Sequence, residues 1–226
     1  MEINKGDTYI TVRGSSSCIT MISVGGCGRK VLQTLPVKDI RHVDIDTRKN
    51  DEKTLCINSE DDIPESISET RVLALKSSDA ICQTIGEGTD TVLVIAGMGG
   101  LTGTGAASVV AQLARKMGHP TIGIVSTPFR FEGKQKISDA LAGVKAMESS
   151  CDILLVLDDN RLIDYFSDLT FGNAFDKAEE IFSRMICTVT ETTARQKTYD
   201  LRTDNFPKDI SSWGGFLPIT IGRMIT

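Results

Sequence analysis

Gly97, Gly99, Gly100, Gly103 and Gly105, with Thr102 and Thr104 among them, are the residues of this chain best placed to do chemistry. They lie in the run Gly97–Ala107, after the apolar segment Thr91–Ala96 and before the helix-like segment Ala106–Met117. Strand, glycine loop and helix together form a phosphate-binding arrangement. Backbone N–H groups converge on an anion, and the helix that follows adds unpaired donors and the positive end of its dipole. The threonines add hydroxyls. Gly103 and Gly105 are expected to approach the ligand too closely for any Cβ. The alternative is a purely structural turn.

A second glycine turn, Val24-Gly25-Gly26-Cys27-Gly28, follows the strand-like run Ile19–Val24 and opens a helix. It supplies another wall for a diphosphate. Gly26-Cys27-Gly28 with Asp44 or Asp46 downstream also matches part of a dinucleotide-binding fingerprint, in which the acid would bond ribose hydroxyls. Val31 stands where the third glycine belongs, which weakens that reading. Arg29 and Lys30 do not form the lysine motif of a P-loop, and solvated charge is their simplest reading. Cys27 is expected to bring a thiol of potential reactivity beside the phosphates. Further along, Phe175 and Glu179 lie one helical turn apart and share a face. That spacing suits a base pocket, and the bland alternative is a core phenylalanine beside an exposed glutamate.

The run Gly97–Ala107 resembles the signature loop of the tubulin and FtsZ superfamily of GTPases, with Leu101 where a glycine is common. The resemblance extends to Val24–Gly28, to Pro128-Phe-Arg-Phe-Glu-Gly133, to Asp158–Leu162 and to Ala174–Ile181. It implies GTP or GDP as ligand, with Mg²⁺ as companion ion and no protein side chain assigned to a metal. The loop residues Gly25, Gly26, Cys27, Gly28, Gly99, Gly100, Leu101, Thr102, Gly103, Thr104 and Gly105 would hold the phosphates, with Asp46 beside them. Glu132 takes the position of a glutamate near the ribose, and Lys136 that of an arginine. Asp159, Asn160 and Arg161 fall on the family loop written Pro-Asn-Asp-Arg, with Asp158 in place of the proline. Phe175 takes the position of the aromatic that stacks on guanine, and Glu179 that of the residue bonding the guanine edge. A carboxylate there accepts both the ring and amino N–H groups of guanine, whereas adenine presents an acceptor at the ring position.

Hydrolysis in that family is completed by an acidic loop from the next subunit. An ungapped match places Asp200, Arg202 and Asn205 on positions written Asn, Asp and Asp, so the two acids are replaced. Asp204 or Asp209 would substitute after a small shift, orienting water beside the γ-phosphate. A glycine loop that FtsZ carries near the γ-phosphate has no counterpart between Asp62 and Ser77. The resemblance therefore implies a short FtsZ-like cytoskeletal or membrane-remodelling protein that self-associates as a dimer or filament, with slow, assembly-dependent GTP hydrolysis. A binding-only switch or scaffold is the alternative, and an NAD(P)-dependent oxidoreductase the more remote one. The expected organisation is a GTP-binding domain over 1–200 and an acidic loop with terminal strand over 201–226, a remnant of the family's second domain.

These residues need elements to position them. Apolar runs at Ile19–Val24, His42–Ile45, Thr91–Ala96, Thr121–Ser126 and Ile153–Leu157 alternate with helix-period segments. The pattern predicts a doubly wound α/β fold, a mostly parallel sheet with helices on both faces. Leu55–Asn58 reads as a short strand and Phe216–Ile221 as a last one. Ile137, Ala140, Leu141, Val144 and Met147 predict a helix buried along that stripe, and a long helix is expected from Asn173 to about Gln196. In such sheets ligands bind at the carboxyl ends of the strands, where all the motifs fall.

Composition fits this reading. The 226 residues carry a formal net charge of −5 and 40% hydrophobic residues, with no basic cluster to neutralise a phosphodiester backbone, which argues against nucleic acid. No apolar run reaches the roughly 18 residues of a spanning helix. A cytoplasmic protein is expected, with any membrane link peripheral and through a partner. The six cysteines have no metal-binding spacing, and Cys18, Cys82, Cys151 and Cys187 read as small hydrophobes.

Overall fold

The computed structural model describes residues 10–11, 18–35, 37–38, 40–52, 54–58, 64–166, 169–195 and 219–222. Strands β2 (Ile19–Val24), β4 (Arg41–Asp46), β5 (Thr54–Cys56), β6 (Thr91–Gly97), β7 (Thr121–Thr127), β8 (Ile153–Asp158) and β9 (Ile219–Gly222) form one sheet. Two short strands, β1 (Ile10–Thr11) and β3 (Val37–Lys38), pair in parallel apart from it. The main sheet has the order β5-β4-β2-β6-β7-β8-β9, parallel except where β9 runs antiparallel to β8. From β2 the chain steps outward through β4 to β5, then returns to the other side of β2 and steps through β6, β7 and β8. The switch point lies between β2 and β6, where Val24 pairs with Ala96, and a ligand crevice belongs at the carboxyl ends of these two strands.

Helices cover both faces. The connections are α1 (Gly25–Thr34), α2 (Ile67–Lys76), α3 (Ser78–Ile85), α4 (Leu101–Lys116), α5 (Lys134–Glu148), α6 (Asp159–Tyr165) and α7 (Ala174–Arg195). Strand β6 shows why the central strands read as continuous apolar runs. Val92, Val94 and Ala96 pack under α2, α3, α4 and α5, while Leu93 and Ile95 face the layer containing α1 and α7. Helix α7 sends Ala178, Phe182, Met185 and Val189 into that second layer at helical spacing.

The strand expectations hold to within a residue or two for the five apolar runs, and the long helix is found at Ala174–Arg195. The weak strand expected at Leu55–Asn58 is displaced to Thr54–Cys56, and the last strand occupies Ile219–Gly222. Three expectations are corrected. Helix α4 starts at Leu101 and not at Ala106, so the second half of the glycine run is helical. Leu141 is 62% exposed, because α5 buries the stripe of Ala140, Gly143 and Met147. Cys18 is exposed, with its backbone N–H donating to Asp90. Helices α2 and α3 had no sequence forecast. Helix α2 begins at a capping signal, Ser66, whose hydroxyl accepts from the Glu69 N–H at 3.2 Å.

Candidate functional site

Helices α1 and α4 lie on opposite faces of the sheet, and their N-termini meet over the switch point. The contact is close: a Cβ on Gly25 would lie 3.1 Å from the Gly103 backbone N and 3.2 Å from Thr102 Cβ. Gly25 itself has φ +79°, a conformation that glycine adopts without strain. Neither N-terminus is capped by a side chain, and neither carries an acidic residue in its first turn. The first-turn N–H groups that an α-helix leaves without intrahelical partners are therefore presented side by side. Open space adjoins them. A Cβ on Gly26 or Gly100 would meet nothing within 4 Å. The pair of helix ends has the free donors and the space to receive a polyanion.

The other glycines of the two turns have different reasons. Gly28 lets α1 lie against β6, since a Cβ there would come 2.5 Å from the Ile95 carbonyl oxygen. Gly103 would press on the Gly97 carbonyl oxygen. Gly105 would meet the Ile67 carbonyl and Thr70 Cβ, both at 2.7 Å, on the adjacent helix α2. Gly103 and Gly105 are thus required to be bare by the packing of the protein itself, apart from any ligand. Gly99, at φ +92°, makes the turn into α4 and passes beside Lys136 and Pro128.

The two threonines organise the loop. Thr104 Oγ1 accepts from the Gly99 N–H at 2.8 Å, and Thr102 Oγ1 donates to Asp46 Oδ1 at 3.2 Å while lying 3.0 Å from the Thr47 hydroxyl. Asp46, at the end of β4, also accepts from the Thr47 N–H and from Asn50 Nδ2. Asp44 accepts the Ser23 hydroxyl. Both acids of the dinucleotide fingerprint are therefore bonded within the protein. Leu101 is 42% exposed at the start of α4.

Beyond the helix ends, α1 faces α7. Lys30 Nζ of α1 lies 2.5 Å from Glu179 Oε2 of α7, and this partner raises the lysine pKa above its ordinary value. Phe175 is half-exposed. Its ring stands edge-on to Phe129 and Phe131, at centroid distances of 5.6 and 5.8 Å, and Phe131 also packs on Phe171 at 4.2 Å. Sequence reasoning marked Phe175 alone. Phe129 and Phe131 belong to the quoted segment 128–133, and their alternation around Arg130 was the available signal.

The third wall joins the segment after β7 to the segment after β8. Glu132 Oε1 accepts from the Phe129 N–H at 2.8 Å and closes the short 3₁₀ turn Arg130–Glu132, while Oε2 lies 2.5 Å from Lys136 Nζ. Asn160 ties the two segments together. Its Oδ1 accepts from the Arg130 N–H at 2.6 Å, and its Nδ2 donates to the Pro128 carbonyl at 3.1 Å. Asp159 is buried, and desolvation, with smaller contributions from Glu132 and Asp158, pushes its carboxyl pKa up to about 8.

Cys27 sits in the first turn of α1, its Sγ 3.9 Å from Ser126 Oγ. Cys27 is exposed at the surface, and desolvation, opposed by Ser126, raises its thiol pKa above the ordinary value. The structure thus brings together Gly25, Gly26, Cys27, Gly28, Asp46, Gly99 to Gly105, Glu132, Lys136, Asn160, Phe175 and Glu179 at one edge of the sheet. Asp204 and Asp209 lie outside the described residues.

Comparison with known proteins places this geometry. Residues 66–167 match the family model described as Tubulin/FtsZ family, GTPase domain. The chain is 45% identical over 113 residues to the cell division protein FtsZ of Porphyromonas gingivalis, covering 50% of this chain and 25% of that one. It is 36% identical over 138 residues to cell division protein FtsZ 2 of Methanocaldococcus jannaschii, covering 61% and 36%. The chain therefore spans roughly a quarter to a third of the length of these relatives. Among solved structures, an empty FtsZ dimer of M. jannaschii superposes with TM-score 0.68 at 23% identity, over 89% of this chain and 61% of that one. CetZ2 of Haloferax volcanii, a GTPγS-bound protofilament, superposes with TM-score 0.65 at 20% identity, over 78% and 59%. The fold is that of the tubulin/FtsZ GTPase domain.

Proposed function

We propose that this chain is a member of the tubulin/FtsZ superfamily that binds GTP and GDP at the carboxyl edge of its sheet and works as an FtsZ-like cytoskeletal or membrane-remodelling protein. The observation that carries the reading is the meeting of two uncapped helix N-termini, α1 and α4, beside open space at Gly26 and Gly100. The phosphates occupy that space. The base lies toward Phe175 and Glu179, and the sugar between, where Cys27 and the Glu132 and Lys136 pair stand. Mg²⁺ accompanies the phosphates. Glu179 reads the guanine edge as a two-point acceptor, and Lys30 steadies its charge.

Hydrolysis, in this proposal, is slow and needs a neighbouring subunit. Helix α7 runs for 22 residues, roughly 33 Å, away from the base site. Asp204 and Asp209, proposed to orient the attacking water, follow that helix in the chain, so a second copy supplies them. The relatives' names support self-association, and the division into a nucleotide domain over 1–200 and a smaller segment over 201–226 belongs to the same proposal. Among the described residues no helix is long and apolar enough to cross a membrane, and we place the protein in the cytoplasm with any membrane link made through a partner.

The test is ligand-dependent thermal unfolding with GTP, GDP, ATP and NAD. Guanine nucleotides should raise the midpoint, since a ligand at 100 times its Kd adds about 2.7 kcal/mol. A rise with NAD alone would favour the oxidoreductase reading. Failure of every nucleotide would reject the site.

A further inference from the structure

Helix α2 is seated on α4 without slack. A Cβ on Gly105 would lie 2.7 Å from the Ile67 carbonyl oxygen and from Thr70 Cβ, and Thr70 and Ala74 are fully buried beneath the helix. Its outer face is the unusual one. Ser68, Val72 and Leu75 recur there at helical spacing, and Val72 and Leu75 are each half-exposed, where the outer face of a surface helix ordinarily carries polar residues. Space adjoins this ridge on both sides. A groove of about 630 Å³ runs along one flank, bordered by Pro64, Glu69, Val72 and Lys76, and another of about 570 Å³ lies between the other flank and α5, over the bare Gly105 and Gly143.

The charges along α2 run in a definite order. Glu69 in the first turn and Lys76 in the last are two helical turns apart, about 10 Å, and so lie on the same flank. Neither has an ion-pair partner among the described residues. A second copy of α2, laid antiparallel by a two-fold rotation about an axis beside Val72, would set Glu69 of each copy against Lys76 of the other. Val72 would then meet its counterpart, and Leu75 would enter between Ser68 and Val72 of the opposite helix. The surface is complementary to itself, which is what a closed two-fold contact requires.

We propose that the outer face of α2 is a docking surface for a second copy of this chain, giving an isologous dimer held by Val72, Leu75 and two Glu69–Lys76 pairs. The proposal does not rest on the nucleotide site. It differs from a contact in which a neighbour supplies Asp204 and Asp209, because the same patch serves both copies and the assembly closes at two.

Sedimentation of the full chain without nucleotide or Mg²⁺ tests it, in the unmutated protein and in Glu69→Lys, Lys76→Glu and Leu75→Ser. One short helix from each copy is a small interface, so a dimer of micromolar or weaker affinity is expected. Each charge variant turns two attractions into repulsions and should weaken the dimer by at least about tenfold. An equimolar mixture of the two charge variants should restore it, since every charge then faces its opposite across the interface. Leu75→Ser should weaken the dimer with both charges intact. Unfolding midpoints recorded alongside separate this from the helix dipole, which favours the same charge order: an effect through the dipole lowers the midpoint and leaves the mass unchanged. That outcome, a monomer at every attainable concentration of the unmutated protein, or charge variants that stay monomeric when mixed would overturn the proposal.

Discussion

Lys30 on α1 and Glu179 on α7 are joined across the candidate base site, Nζ to Oε2 at 2.5 Å. The lysine is mostly in water, whereas Glu179 is largely covered, with 21% of its side chain exposed. An exposed cation of this kind contributes little to folding, so the pair is better understood as orienting the carboxylate than as holding two helices together.

Glu179→Gln should therefore bring GTP and ATP affinities together, with GTP weakened by roughly tenfold or more, because an amide offers a donor where guanine needs a second acceptor. Lys30→Met should leave the unfolding midpoint nearly unchanged and retain the preference for GTP. Competition binding with both nucleotides reads the outcome. Equal affinities in the unmutated protein would reject the base site.

The glycines divide into two classes by what a Cβ would meet, and the two classes should fail differently. Gly26→Ala faces open space within a helix and should preserve or raise the unfolding midpoint while weakening nucleotide binding, since alanine favours the helix by about 1 kcal/mol. Gly105→Ser runs into Ile67 and Thr70 and should lower the midpoint with or without GTP. Thermal unfolding of both variants, with and without GTP, separates a ligand effect from a packing effect.

Asp159 gives the folded protein a pH dependence with a definite sign. Its pKa is near 8 when folded and near 3.8 as a free side chain, so between these values the folded state holds a proton that the unfolded state has lost. Stability falls as pH rises through that window, by up to roughly 1.4 kcal/mol per pH unit from this group, and levels off above about pH 8. Asp159→Asn should remove that slope. Its stability advantage over the unmutated protein should be largest near pH 8 and vanish toward pH 4. Parallel unfolding curves across this range would contradict the shifted carboxyl.

Any GTPase activity should depend on protein concentration. Specific activity is expected to rise with concentration and to fall at least tenfold in the double variant Asp204→Ala and Asp209→Ala. Turnover assayed over a hundredfold concentration range, beside sedimentation, checks this. Constant specific activity in a monomeric sample would show that one chain completes its own site.

Much of this architecture was legible in the order of residues. The apolar runs from Ile19 to Leu157 read as strands because a sheet covered on both faces needs side chains that are apolar at every position. Phe182, Met185 and Val189 marked α7 because one face of a helix returns every three or four residues. The glycine turns were legible as well, and both fall at carboxyl ends of neighbouring strands, as the topology requires.

What each glycine and each acid does was decided only by tertiary contact. Gly103 and Gly100 look alike in the chain, yet one is pressed against the Gly97 carbonyl and the other opens on empty space. Leu141 fits the helical stripe in sequence and stands in water because α5 is turned so that Gly143 can admit Met98 and Thr104. Asp159 and Asp158 are adjacent and chemically identical. One caps α6 with an ordinary hydrogen bond, and the other is carried inside and desolvated. Periodicity and turn chemistry are local properties and survive in the sequence, whereas desolvation and close approach depend on which distant segment arrives at the same point.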